Sequence, residues 1–519
     1  MMGTLTPGAR ALFLLCAALM LLVIVAPMAH AGDAPPPTAD PGGDKTGTKA
    51  DITAKDAGNP TPDEVLDQVG HNKIAINFVW VLMAGFLVFF MQAGFAMLEV
   101  GFVRAKSAVH TMLMNLVVYA LGVLGFFLVG FALMFGNAGP IASLGGGSGL
   151  CHEFTLSLFG KDFGFFGTTG FGLNGMAYDC AIFGLFLFQV VFMDCTATIP
   201  TGAMAERWRF KSFILWGIAA ATIYYPIFGN WVWGGGWLAK LGSNFNLGNG
   251  YVDFAGSTVV HAMGGVAALV GASLLGPRIG KFIGPDRKPR AILGHDIPIA
   301  LLGALILGFG WFGFNAGSTL AGGDVRLAVV AVNTMLASCA GMISAMLYMK
   351  KVHGKFDAPM TANGYLAGLV AITASCAFVS AWGAIVIGLI AGVLVCAAVI
   401  FVDNKLKVDD PVGAVAVHGA NGLWGGLALG IFADGTYGKG LNGVDHAVRG
   451  LLYGGTDQFV AQLIGVVTCA VCAAIGSYVI FKVIGAITPM RSTPEDEMTG
   501  LDFPETGVTA YPDYQMIQN

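Results

Sequence analysis

The sequence predicts an all-α polytopic membrane protein with eleven transmembrane helices arranged as a five-plus-five inverted repeat. Three observations lead there. The chain of 519 residues is 55% hydrophobic and only 11% charged, with a mean hydropathy of +0.72, whereas a soluble protein carries about a quarter charged residues. Its apolar residues gather into runs of about 20, the length that crosses a bilayer. A short pattern, Val-His-x-x-x-Gly, also occurs twice, at 260–265 and at 417–422.

The chain opens with a separate element. Arg10 precedes the apolar run "ALFLLCAALMLLVIVAPMAHA", and Ala29-His30-Ala31 fits a small-x-small cleavage site, so residues 1–31 read as a cleaved signal peptide. A retained first helix is the alternative. Residues 32–72, with Pro35-Pro36-Pro37 and mixed Asp, Lys, Thr and Gly, read as a flexible extracytoplasmic segment. The membrane domain is expected over 73–486. Its helices lie near 75–100, 108–135, 179–204, 211–230, 255–276, 294–315, 326–350, 359–378, 381–403, 413–432 and 457–486. With the N-terminus extracytoplasmic, 17 of the 27 Lys and Arg residues fall in cytoplasmic loops or at the cytoplasmic ends of helices. That bias sets the orientation in an inner (plasma) membrane, with a cytoplasmic C-terminus. Glycines number 76 and lie inside the apolar runs, where small residues let helices approach closely.

The repeated histidines are the main puzzle, because a polar group at mid-membrane must be satisfied or functional. His418, Gly422, Gly426 and Gly430 share one face of the tenth helix, and His261, Gly265, Ala268 and Ala272 share one face of the fifth. These helices close two halves of five. An odd number per half makes the halves inverted, and such folds put their site at mid-membrane between the halves. "MQAGFAM" (91–97) and "GFNAGST" (313–319) echo each other weakly at the start of each half. Facing imidazoles could form a buried interhelical hydrogen bond, or could line a narrow polar path for a small neutral hydride. No Cys, Asp or Glu stands at ligand spacing from either histidine, so no metal is expected. No nucleophile–base pair marks an enzyme, and no cofactor is expected. The net charge of −4 singles out no partner, and no nucleic acid is expected. Among the nine cysteines, Cys151 and Cys180 fall in one outside loop and either pair or remain thiols, while Cys469 and Cys472 read as helix packing.

Four stretches carry a resemblance: "GAMAERWRF" (202–210), "DFAGSTVVH" (253–261), "GWFGFNAGS" (310–318) and "VHGANGLWGG" (417–426). Together, in this order, they resemble the ammonium transporter (Amt/Mep/Rhesus) family, bacterial Amt-type, over residues 75 to about 505. The resemblance implies paired pore histidines at His261 and His418, and a phenylalanine gate at Phe192 and Phe314. It implies an outer recruitment site for ammonium or methylammonium at Trp233 and Ser318 with Phe192, and a pore-lining Trp311. The family's essential acid falls on Asp253. As a residue heading a helix about 12 Å from His261, it suits a structural and electrostatic role better than direct contact. The resemblance further implies a homotrimer in the lipid bilayer and a cytoplasmic regulatory tail, 487–519, that meets the PII signalling protein. Composition alone gives only a solvated acidic tail. Two other functions fit the same family: a sensor signalling through that tail, and a Rhesus-type channel for neutral NH3 or CO2. The outside loops 136–178 and 234–252 are longer than the family leads one to expect.

Overall fold

The computed structural model describes residues 61–147, 149–441 and 443–512. The signal peptide expected at 1–31, most of the segment 32–72 and the last seven residues of the tail lie outside the described residues. Eleven principal helices follow in chain order: α1 Pro62–Phe102, α2 Ala105–Phe135, α3 Cys180–Met204, α4 Phe210–Trp233, α5 Ser257–Leu275, α6 Ile297–Ala316, α7 Leu327–His353, α8 Ala358–Ile372, α9 Ala381–Leu406, α10 Val415–Phe432 and α11 Thr456–Ile487. Among the described residues, ten of these are long and apolar enough to cross a membrane. The exception is α8, with 15 residues. From Met360 it is buried on nearly every side, and the chain continues through the buried turns 373–379. Unwound backbone survives at such a depth only inside protein. Here its carbonyls are used: Thr373 and Ala374 accept hydrogen bonds from the N–H groups of Ala255 and Phe254 at 3.2 and 3.1 Å.

The inverted repeat is visible in the packing. The first helices of the two halves, α1 and α6, lie along each other, and the last, α5 and α10, do the same. Glycines set both seams. A Cβ on Gly94 or Gly303 would strike the opposite helix backbone between α1 and α6, and one on Gly265 or Gly422 would do so between α5 and α10. Close backbone approach of this kind replaces hydrophobic association inside lipid.

Helix α1 begins earlier than its apolar run. Thr61 and Glu64 form a capping box, and Pro62 takes the first helical position, an arrangement that pre-organises a helix start. Residues 62–72, read from composition as flexible, are therefore helical. The long loop 136–178 contains an antiparallel hairpin, β1 Glu153–Leu158 and β2 Lys161–Gly167. It rests on α4, where Trp231 donates to the Phe165 carbonyl at 3.0 Å. Cys151 and Cys180 are not joined to each other in a disulfide.

The opposite face of the protein is basic and holds the tail. Arg278 pairs with Asp409 at 2.8 Å and Glu206 at 2.6 Å, Arg104 closes on Glu206, and Arg207 donates to the Asp409 carbonyl at 2.7 Å. Burial alone would raise the Asp409 carboxyl, but the guanidiniums of Arg207 and Arg278 hold it well below the usual carboxylate range. The tail, with short helices α12 Pro494–Thr499 and α13 Asp502–Thr506, is docked rather than solvated. Arg491 pairs with Glu497 and donates to the Leu275 and Pro277 carbonyls, and Asp502 accepts the His110 N–H at 2.8 Å.

Candidate functional site

The ends of α5 and α10 are built alike. Each starts with an aspartate that accepts backbone N–H groups, then a glycine with positive φ, then a widened π turn that carries the histidine. Asp253 Oδ1 accepts from Gly256 and Ser257 at 2.8 and 3.0 Å. Its Oδ2 accepts from Thr258 and Val259 at 2.7 and 3.1 Å, and from the Thr258 hydroxyl at 2.6 Å. Asp410 accepts from Val412, Gly413 and Val415 at 3.3, 3.0 and 2.8 Å. Gly256 has φ 111° and Gly413 φ 82°, conformations that β-carbon-bearing residues resist. The π turns span Ser257–Ala262 and Val415–Ala420, and such turns occur most often at functional sites.

The two histidines meet between the halves. His261 Nδ1 lies 3.2 Å from His418 Nδ1, with ring centroids 5.2 Å apart and planes inclined by 23°. One Nδ1 donates and the other accepts. His261 is fully buried, and its Nε2 has no protein hydrogen-bond partner. A polar atom in that state is an exception that calls for an explanation.

Aromatic rings lead from the hairpin face to this pair. Trp233 meets Phe192 edge-on at 6.1 Å, and Phe192 stacks on Phe314 at 4.0 Å. Phe314 and Trp311 lie against His261 at 5.3 and 4.9 Å. Trp311 is fixed by donating to the Thr373 hydroxyl at 2.9 Å, and Trp233 by donating to the Asp253 carbonyl at 2.7 Å. Both phenylalanines are fully buried, so the stack closes the line. On its Trp233 side lies a vestibule of about 550 Å³, bordered by Trp233, Gln189, Phe254 and Ser318. Ser318 donates its hydroxyl proton to the Phe314 carbonyl at 2.8 Å, which leaves oxygen lone pairs free. Beyond His418 the surroundings change: Phe95 of α1 stands 6.0 Å away, and the neighbourhood is mostly aliphatic.

Seven of the eight residues singled out in the sequence thus fall along one line, and the eighth, Asp253, stands beside Trp233 and off that line. Three others were missed. Gln189 lines the vestibule with a buried, unpartnered Oε1; its spacing of three before Phe192 on one helix face was the available signal. Asp410 was legible too, because Asp-x-x-Gly-x-x-x-Val-His occurs at 253–261 and again at 410–418. Phe95 had no signal beyond its weak echo motif. Among the described residues, no group of three or more His, Cys, Asp or Glu is placed to hold a metal ion.

Comparisons with known proteins give the family of the chain. The Ammonium Transporter Family profile matches residues 79–511. The chain is 44% identical to the ammonium transporter Amt2 of Archaeoglobus fulgidus, over 89% of this chain and 93% of that one. It is 37% identical to the ammonium transporter Amt1 of Haloferax mediterranei, over 86% and 82%. Among solved structures it is similar to a sensor Amt protein, with a TM-score of 0.73, 36% identity and coverage of 84% and 99%. Mep2 of Candida albicans follows the same fold, with a TM-score of 0.67, 27% identity and coverage of 84% and 90%. By the profile match and by these relatives, the chain belongs to the ammonium transporter family.

Proposed function

We propose that this protein takes up ammonium across a plasma membrane, with the hairpin face outside and the basic face and tail in the cytoplasm. Trp233, Phe192 and Ser318 capture the cation in the vestibule, the Phe192–Phe314 stack admits it transiently, and ammonia passes Trp311, His261 and His418. The observation that carries this is the imidazole pair behind a closed aromatic stack, with Nε2 of His261 left for a small hydrogen-bonding guest. Cation–π attraction at the vestibule contributes about 0.5–2 kcal/mol. Moving a charge to mid-membrane costs roughly 2.5 kcal/mol or more, so shedding a proton is the cheaper way in. Potassium has no proton to shed and is rejected by the same cost.

The test is uptake of isotope-labelled methylammonium into cells lacking other carriers. Saturable uptake that falls when Trp233 and Ser318 are both replaced by alanine is the expected result. No uptake from a well-expressed protein rejects transport. Uptake of ammonia indifferent to the double replacement favours a Rhesus-type gas channel. Similarity to a sensor Amt protein supports a second reading, in which binding is relayed to the docked tail; ammonium binding without flux would favour it. A homotrimer and a PII signalling protein at 487–519 complete the proposal, and mass measurement of the purified protein, alone and with PII, tests both.

A further inference from the structure

Glu99 of α1 is buried at 2% exposure, and among the described residues no Lys, Arg or His lies within ion-pairing distance of it. It sits one helical turn beyond Phe95, the residue that faces His418. An acid in that setting is expensive to keep and marks a functional position by default, proton relays being one of its uses. Its hydrogen bonds say more. Asn115 Nδ2 donates to Oε2 at 2.7 Å. The hydroxyl oxygen of Thr201 lies 2.6 Å from both Oε1 and Oε2, and also 2.6 Å from the Thr198 carbonyl oxygen. A threonine has one hydroxyl proton, and in a helix it commonly donates back to a carbonyl three or four residues earlier. Thr201 cannot donate to Thr198 and to Glu99 at once. The close Glu99–Thr201 contact is satisfied when the carboxyl itself carries the proton.

The surroundings hold this acid in place without neutralising it as an ion pair would. Gln92 donates to the Asn115 carbonyl at 2.7 Å and accepts from the Thr198 hydroxyl at 3.2 Å, so α1, α2 and α3 are tied into one polar ring. Gly202 of α3, next to Thr201, has Val412 and the Glu99 carboxyl as its near neighbours. Glu99 therefore lies close to the start of the helix that carries His418, on the basic side of the histidines.

Building on the transport reading above, we propose that Glu99 is a proton-exchange site for ammonia that has passed His418. The Glu99 O–H bond breaks as an N–H bond forms on ammonia, and ammonium leaves toward the basic face. The carboxylate is then re-protonated by the proton that ammonium shed on the Trp233 side, moved through the His261–His418 contact. One positive charge crosses for each ammonia.

The experiment uses the full chain in liposomes. Currents on a solid-supported membrane are read after an ammonium jump, and a trapped pH dye is read in parallel. The wild type is expected to give current with little internal alkalinisation. Glu99→Gln keeps a hydrogen-bonding side chain but cannot release an acid proton. Its current is expected to fall about 100-fold, the scale of a lost acid–base group, while ammonia entry now alkalinises the interior. That exchange of one signal for the other is not what a packing defect produces. If Glu99→Gln loses both signals, Glu99→Asp decides: a restored current supports the proposal, and no restoration overturns it as a structural role. Full current in Glu99→Gln overturns it as well. Wild-type ammonia entry without current overturns this inference and leaves the transport reading standing; neither signal from the wild type rejects transport itself.

Discussion

The heads of α5 and α10 share a backbone but not an environment. Both follow Asp-x-x-Gly-x-x-x-Val-His, both turn through a positive-φ glycine, and both end in a π turn. Around α5 the pattern is sealed. Asp253 is buried, takes five donors, and lies against Trp233, while His261 is walled by Trp311 and Phe314. Around α10 it is looser. Asp410 is half-buried with three N–H donors, and its neighbour Asp409 is tied into the basic cluster instead. His418 has Phe95 as its aromatic neighbour on the far side. Inverted repetition thus supplies matched histidines, and divergence of the side chains around them makes the two sides of the pair unlike.

The largest test of this difference is to remove each aspartate. Asp253→Ala strands four N–H groups in a dry site, at about 1–3 kcal/mol each, while the Thr258 hydroxyl keeps Tyr251 as a partner. That sum approaches the whole stability of a domain, so little folded protein is expected. Asp410→Ala strands three N–H groups at a helix start whose acid is only partly buried, and should cost about 0.5–2 kcal/mol, as a lost helix cap does. Yield of monodisperse protein and its melting temperature in detergent measure both. Equal damage from the two would break the comparison.

Asp409→Asn probes the feature that α10 has and α5 lacks. Losing half of a buried ion pair costs about 3–5 kcal/mol; Glu206 still partners Arg278, so the low end is expected. The pH dependence has a definite sign. The folded-state carboxyl is held below its unfolded value of about 3.9, so its stabilisation is fully present above that pH and is lost as pH falls through the depressed value. The melting difference between wild type and Asp409→Asn should stay constant from neutral pH down to about pH 5 and shrink only below about pH 4.

Gly265→Ala and Gly422→Ala test what the two halves share. Each added methyl would push on backbone of the other helix, Gly419 in one case and Ser257 with Ala262 in the other. Overpacking of this kind costs about 1–3 kcal/mol. Similar losses in melting temperature are expected for both, because the seam is symmetric. A large loss from one alone would mean that the halves have diverged in backbone as well.

Much of this was legible in the residues. Apolar runs gave the helices, including α8, whose length fails a span criterion while its burial does not. Histidine spacing gave the meeting point of the halves. What sequence reading missed has physical causes. Composition made residues 62–72 look flexible, but a capping box and Pro62 override composition locally. The tail looked solvated because its acids partner residues more than 200 positions away in the chain, such as His110 and Ile279. Asp410 lies outside the Val-His-x-x-x-Gly pattern, and only the longer repeat Asp-x-x-Gly-x-x-x-Val-His takes it in. Glu99 gave no local sign at all, since its setting depends on Asn115, Thr201 and the absence of a nearby cation among the described residues.

The smallest effect expected is at Trp233, and it separates binding from passage. Trp233→Phe keeps a ring against Phe192 but removes the Nε1–H that holds the Asp253 carbonyl at 2.7 Å, and it weakens the face offered to a cation. Tryptophan is the best of the aromatic cation partners, and the step to phenylalanine at a wet site is worth a fraction of the ~0.5–1 kcal/mol contact energy. The half-saturating methylammonium concentration should therefore rise about two- to threefold, with the maximal rate unchanged. Phe95→Leu, on the far side of His418, should leave that concentration where it was, since no cation is captured there. Labelled uptake at graded concentrations reads both variants. A fall in maximal rate with no change in half-saturation in Trp233→Phe would assign the indole to the barrier rather than to capture, and would move the asymmetry between the two halves from the vestibule to the stack of Phe192 and Phe314.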